Sequence, residues 1–149
     1  MYHFEKFVDY VSGLLKMIPP NVVFVPHDNM INRYGENVLA QYDDDEDVIY
    51  VELKDEYKMQ DYYDLAYSIR LIWQEIFGIE FDSEIYKFKS NITMKEIDAH
   101  AFAYIAMGIR FGKHTKTTFN SDDVAQKALQ ECIDALSEEY GIEIKPANQ

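Results

Sequence analysis

Leu65-Ala-Tyr-Ser-Ile-Arg-Leu-Ile-Trp-Gln74 is the stretch that decides the fold. Leu65, Ile69, Ile72 and, just beyond it, Ile76 recur at spacings of four, three and four. That period keeps apolar side chains on one face of a helix. It predicts a helix over residues 61–77, followed by Gly78 where a helix most readily ends in the left-handed conformation. A second stretch, Glu96-Ile-Asp-Ala-His-Ala-Phe-Ala103, predicts another helix from Thr93 to about Met107, which Gly108 is expected to end or loosen. Thr93-Met-Lys-Glu96 has the form of a capping box, in which the hydroxyl and the carboxylate each accept a hydrogen bond from the other residue's backbone N–H.

Together the two stretches resemble the active-site helices of the ImmA/IrrE-type zinc metallopeptidases, in particular phage-type members whose first helix reads H-E-x-R-H-x-W-Q. Ile69, Arg70, Ile72, Trp73 and Gln74 stand where that pattern has an apolar residue, Arg, an apolar residue, Trp and Gln. The pattern's first histidine falls on Tyr67, its catalytic glutamate on Ser68 and its second histidine on Leu71. Its third ligand, a glutamate three residues before an alanine, falls on Glu96, and where the family usually carries Asn this chain has His100. The resemblance covers roughly residues 20–107. It implies an α+β, zincin-like single domain over residues 1–149. A small, mainly antiparallel sheet would pack on the two motif helices, with further helices at the N- and C-terminal ends. It also implies a phage or prophage setting.

The replaced residues are the ones that do the chemistry. H-E-x-x-H works because two imidazoles one helical turn apart grip one zinc while the glutamate between them activates the bound water. A zinc site needs at least three N, S or O ligands from the protein. Leu71 offers no ligand, neutral Tyr67 is a poor one and Ser68 is no general base near neutral pH. Ser68 as a nucleophile would need an adjacent base and an oxyanion hole, and neither a histidine nor a glycine-rich elbow lies near it in sequence. The expectation is a pseudo-metallopeptidase without a cofactor. A relocated metal site has one candidate pair, Glu96 and His100, a turn apart, with Asp64 or Glu75 as possible helpers. His3, His27 and His114 are dispersed and add little.

Composition narrows the partners. The 149 residues carry a net charge of −13, with 48% hydrophobic residues. That charge repels phosphate, which argues against direct nucleic-acid binding and leaves room for a basic protein partner. One cysteine, Cys132, excludes an internal disulfide and is expected to be a buried structural thiol. The N-terminal residues lack the pattern of a secretory leader, and no apolar run is long enough to span a bilayer. A cytoplasmic location is therefore expected.

Outward from the two motif helices, residues 4–18 show a helical stripe that Pro19-Pro20 should stop, and residues 22–25 form a β-rich run. Residues 37–42 and 48–53 read as a hairpin. In its second strand Ile49, Val51 and Leu53 alternate with Val48, Tyr50 and Glu52. Residues 79–92 read as irregular or hold a short element, and residues 111–118 form a polar loop. Asn120 or Ser121 is expected to cap a last helix that runs to Tyr140 and ends at Gly141. On it Val124, Ala128, Cys132, Leu136 and Tyr140 repeat every four residues, beside Leu129 and Ile133. The tail from Ile142 reads as extended or loose.

The hairpin turn holds Asp43, Asp44, Asp45, Glu46 and Asp47, with Tyr42 and Tyr50 on the flanking strands. These seven residues are the candidate protein-binding surface. Two function classes compete with a binding protein that has lost catalysis: a metal-dependent hydrolase using Glu96 and His100, and an acidic decoy that occupies a basic nucleic-acid-binding protein.

Overall fold

A computed structural model describes residues 2–34, 38–81, 88–112 and 116–143. The chain divides into two units, Met1–Ile72 and Trp73–Gln149.

In the first unit, α1 (Tyr2–Leu14) buries Phe4, Phe7, Val8 and Val11, and Leu15 just beyond it. The helix ends earlier than its apolar pattern predicts. Lys16 takes a φ of 54°, Lys16 N–H bonds Gly13 O, and Met17 N–H bonds Ser12 O. This is the paired bonding of a Schellman turn, with lysine where glycine is usual. Ile18 is left 89% exposed, so Pro19-Pro20 follows a helix that has already stopped. Phe4 stacks on Tyr57 at 4.0 Å between ring centroids, and Phe7 meets Tyr62 edge-on at 5.0 Å.

Three strands follow, β1 (Asn21–Val25), β2 (Ala40–Asp43) and β3 (Val48–Glu52), with α2 (His27–Tyr34) between the first two. The sheet order is β1-β3-β2. β2 and β3 form the expected hairpin, with Gln41 opposite Tyr50. β1 lies on the far side of β3 and runs parallel to it, with Val23 opposite Tyr50. The sheet is therefore mixed rather than mainly antiparallel. A parallel pair needs a long crossover, and here α2 and β2 supply the chain between the partners. With a neighbour on each edge, β3 is the central strand. Ile49, Tyr50, Val51 and Glu52 are all buried, so the expected alternation does not separate a wet face from a dry one. Leu53, expected to point the same way as Ile49 and Val51, lies outside the strand and is exposed. Asn37 lies outside the described residues.

α3 (Met59–Ile76) buries Leu65, Ala66, Ile69 and Ile72, while Ile76 at the end of the stripe is exposed. Gly78, at φ 61°, closes the helix as expected: Ile79 N–H bonds Gln74 O at 2.9 Å.

The second unit is built on α4 (Met94–Phe111) and α5 (Asp123–Tyr140), which pack against each other. Every residue of α4 from Ile97 to Gly108 is buried except His100. Apolar and small residues all round mark an interior helix. Gly108 neither ends nor interrupts it; the helix runs on to Phe111 and is closed by Gly112. α5 buries Ala125, Ala128, Leu129, Ile133 and Leu136. The buried stripe is turned from the predicted one: Val124 is exposed, and Cys132 and Tyr140 are half-buried, so the thiol is not the core residue expected. No helix among the described residues is long and apolar enough to cross a membrane.

The cap of α5 is Asp122, not Asn120 or Ser121. Its carboxylate accepts from Ala125 N–H at 3.1 Å, from Ser90 N–H at 2.8 Å and from Ser90 Oγ at 2.6 Å. One buried side chain thus caps a helix and fixes the segment that leads into α4. The Ser90 hydroxyl, then the Ser90 and Ala125 amides, hold the Asp122 carboxyl below the usual carboxylate range. A lowered carboxyl contributes stability above its unfolded pKa of about 3.9, and the contribution is lost as pH falls through the lower folded value. Asp122→Asn is therefore expected to be clearly less stable than the parent protein at pH 7, with the gap closing in acid below about pH 4. Urea unfolding at several pH values measures this. A gap that stays constant into acid would remove the charge from the account.

Candidate functional site

Tyr67, Ser68 and Leu71 lie on α3 in the first unit, and all three are half-buried. Tyr67 and Leu71 share a helix face, as residues four apart must. No histidine lies on α3. In its last turn, Gln74 is buried, and its Nε2 donates to Lys95 O at 3.0 Å and to Asp98 Oδ2 at 2.6 Å. These bonds tie the end of α3 to the first turns of α4, within the second unit. Gln74 Oε1 is buried with no hydrogen-bond partner among the described residues. Arg70 is buried as well.

Glu96 is occupied by the capping box. Its Oε1 accepts from Thr93 N–H at 3.2 Å and from Thr93 Oγ1 at 2.9 Å, while Glu96 N–H donates to Thr93 Oγ1 at 3.2 Å. His100, one turn on, is half-buried and lies edge-on to Phe119 at 6.0 Å between ring centroids. Burial pushes its imidazole below the usual histidine range, and Glu96 opposes this in part. The neutral ring is thus favoured near pH 7. Among the described residues the one group of three or more His, Cys, Asp or Glu side chains with converging ligand atoms is Asp43, Asp44 and Asp45, so no third ligand joins Glu96 and His100 there.

The acidic hairpin turn is shaped by its own side chains. Asp43 Oδ1 accepts from Asp45 N–H at 3.0 Å and from Glu46 N–H at 3.2 Å, an Asx turn. Asp47 takes a φ of 55°, a conformation that Asp tolerates better than most residues. Tyr42 donates to Asp47 Oδ1 at 2.8 Å, and Tyr50 donates to Glu46 Oε2 at 2.5 Å. Tyr42 lies opposite Ile49 and Tyr50 opposite Gln41, so the two phenols rise from opposite faces of the sheet. Each face thereby grips one carboxylate of the turn. Asp44 and Asp45 are exposed at its tip.

A further cluster in the first unit was not anticipated. Glu52, at the end of β3, is only 5% exposed. Its carboxylate bonds Nδ1 of His27, the first residue of α2, and lies 3.8 Å from Lys54 Nζ. Lys54 Nζ donates in turn to Asp61 Oδ1 at 2.9 Å, and Asp61 Oδ2 accepts from Lys58 N–H at 2.8 Å. Tyr57 donates its phenolic hydrogen to Glu52 O at 2.7 Å. The Asp61 hydrogen bond raises the Lys54 ammonium above its usual range against the opposing effect of burial.

No family model, curated protein or solved structure matches this chain.

The cluster's chemistry is first that of a buried charge kept paired. A carboxylate taken out of water is costly unless ion pairs and hydrogen bonds compensate it. The carboxylate's two partners come from the start of α2 and from the segment after β3, and Lys54 carries the connection on to Asp61 of α3, so these pieces are tied together through Glu52. Holding Nδ1 of a half-exposed imidazole also orients the ring and leaves Nε2 as its remaining nitrogen. One sequence signal pointed here: Glu52 is the lone charge within the apolar run Val48-Ile-Tyr-Val-Glu-Leu53. A charge inside a strand that becomes central must find partners. The partners were invisible because His27 belongs to α2, whose residues show no apolar stripe.

Thr93→Ala is expected to cost on the order of 1 kcal/mol, because it removes the hydroxyl that accepts from Glu96 N–H. Glu96→Gln should be mild, since glutamine also completes a capping box. Denaturant unfolding of both variants checks the pair. A Glu96→Gln variant as damaged as Thr93→Ala would mean that the negative charge of Glu96, not its hydrogen-bonding shape, is what the site uses.

Proposed function

We propose that this chain is a catalytically inactive, zincin-like protein of phage or prophage type that acts by binding another macromolecule. The observation that carries the reading is the state of Glu96. The one residue that would remain from the ligand set implied by the resemblance is spent on capping α4. The companion positions hold Tyr67, Ser68 and Leu71, none of them a good zinc ligand. What the chain offers instead is a shaped acidic surface. The turn over residues 43–47 is ordered by an Asx turn and two tyrosine–carboxylate bonds, which fix the backbone that presents Asp44 and Asp45. Preorganised charge favours recognition because less ordering entropy is lost on binding. The partner that suits it is a basic protein.

Two measurements test this. Purified protein is expected to hold well under one zinc per chain by elemental analysis. A full equivalent that disappears in Glu96→Ala would overturn the inactive reading. The second measurement uses a partner captured from the native host. Replacing Asp43, Asp44, Asp45 and Asp47 by Asn and Glu46 by Gln keeps an acceptor oxygen at every hydrogen bond of the turn while removing its charge. The fold should be retained, and association with the partner should slow roughly ten-fold or more at low salt, with a smaller difference at high salt. Unchanged association by the neutralised variant would reduce the turn to solvated surface.

A further inference from the structure

Most large apolar side chains exposed among the described residues stand singly, as Ile18 and Leu53 do. Scattered apolar residues on a surface are ordinary. At the end of α3 they are grouped. Ile76 and Phe77 are each 53% exposed and Ile79 is 37% exposed, within four positions of the chain. Half-buried Trp73 lies 5.9 Å from Phe77, ring to ring. The grouping has a local cause. The apolar stripe of α3 continues past Ile72 to the exposed Ile76, and the left-handed turn at Gly78 redirects the chain before Ile79. Exposed Glu75 and Glu80 interrupt the same segment. Trp73, Glu75, Ile76, Phe77, Ile79 and Glu80 all belong to the second unit.

We propose that this apolar end of α3 is a docking surface for a basic amphipathic helix of a partner protein. The inference rests on the reading that the protein works by binding, but not on the hairpin turn. Contiguous exposed apolar surface marks interaction sites, and aromatic side chains, tryptophan above all, are enriched where binding energy concentrates. An amphipathic helix brings apolar anchors at positions i, i+3, i+4 and i+7, the form suited to a small patch of this kind. Exposed Glu75 and Glu80, interleaved with the apolar residues in sequence, favour lysine or arginine beside the anchors. The same electrostatics argue against a second copy of this chain as occupant, because each copy carries a net charge of −13.

The probe is a fluorescein-labelled peptide of about 18 residues, five helical turns, made of leucine at helical spacing and lysine elsewhere. A scrambled peptide of the same composition is the control. Trp73 is the only tryptophan of the chain, so an unlabelled peptide reports directly on the patch through its emission. The expected result is saturable binding of the patterned peptide by anisotropy, a blue shift of Trp73 emission, and at least about ten-fold weaker binding of the scrambled peptide. Phe77→Ser should weaken the patterned peptide at least about ten-fold. Glu75→Lys combined with Glu80→Lys should weaken it too while leaving the apolar residues in place, which covers the case of a Phe77 variant that folds poorly. The neutralised hairpin should bind the peptide as the parent does. Equal binding of the scrambled peptide, no change in Trp73 emission, or parent-like binding by both patch variants would overturn the proposal. Loss of the peptide only in the neutralised hairpin would overturn it and leave the hairpin reading standing.

Discussion

A carboxylate at the end of a doubly covered strand is the constraint on which the first half of this molecule turns. β3 has a neighbour on each side and buried residues on both faces, so its final side chain, Glu52, is left only 5% exposed. A buried carboxylate left alone is strongly disfavoured. The chain meets this by bringing His27 from the start of α2 and Lys54 from the segment after the strand, and Lys54 is held in turn by Asp61 of α3. The positions at which α2 begins and α3 begins are thus tied to one charge.

The same economy recurs across an acidic chain. Asp43, Glu46 and Asp47 shape the hairpin turn, Glu96 caps α4, Asp98 receives Gln74, and Asp122 caps α5 while holding Ser90. Carboxylates here often replace backbone partners that helix ends and turns lack. Much of the negative charge therefore has local structural work, and the exposed remainder, such as Asp44 and Asp45, is what a partner would meet. This separates two meanings of an acidic composition that a net charge alone merges.

What could be read from the sequence was what depends on near neighbours. The stripes of α1 and α3, the presence of α5 though not its buried face, the capping box at Thr93, the glycine ends at Gly78 and Gly141, and the β2–β3 hairpin all follow from residues within a few positions of one another. α2 was not legible, because its eight residues, His27 to Tyr34, bury Met30 but carry no repeating apolar face. The parallel pairing of β1 was not legible either, since register between distant strands leaves no local mark. The end of α1 at Lys16 was hidden because a lysine occupies a glycine's conformation. Of the candidate sites, the hairpin turn was visible as a charge run, but its ordering by phenols from the two faces of the sheet needed the strand register. The Glu52 cluster joins residues far apart in sequence, and spacing rules do not reach that far.

The parallel pairing has a consequence for the order in which the sheet assembles. β2 and β3 are joined by a short turn, so their ends meet at little entropic cost. β1 finds its edge on β3 only after the chain has passed through α2 and β2, a longer closure whose contacts count only once it is complete. The hairpin is thus the natural first piece and β1 the late addition. The interval between them leaves one flank of β3 open, with Val48-Ile-Tyr-Val exposed along its backbone to whatever strand arrives first. The acidic turn at the head of that hairpin disfavours a second unfolded copy adding in parallel register, which would bring the two turns side by side.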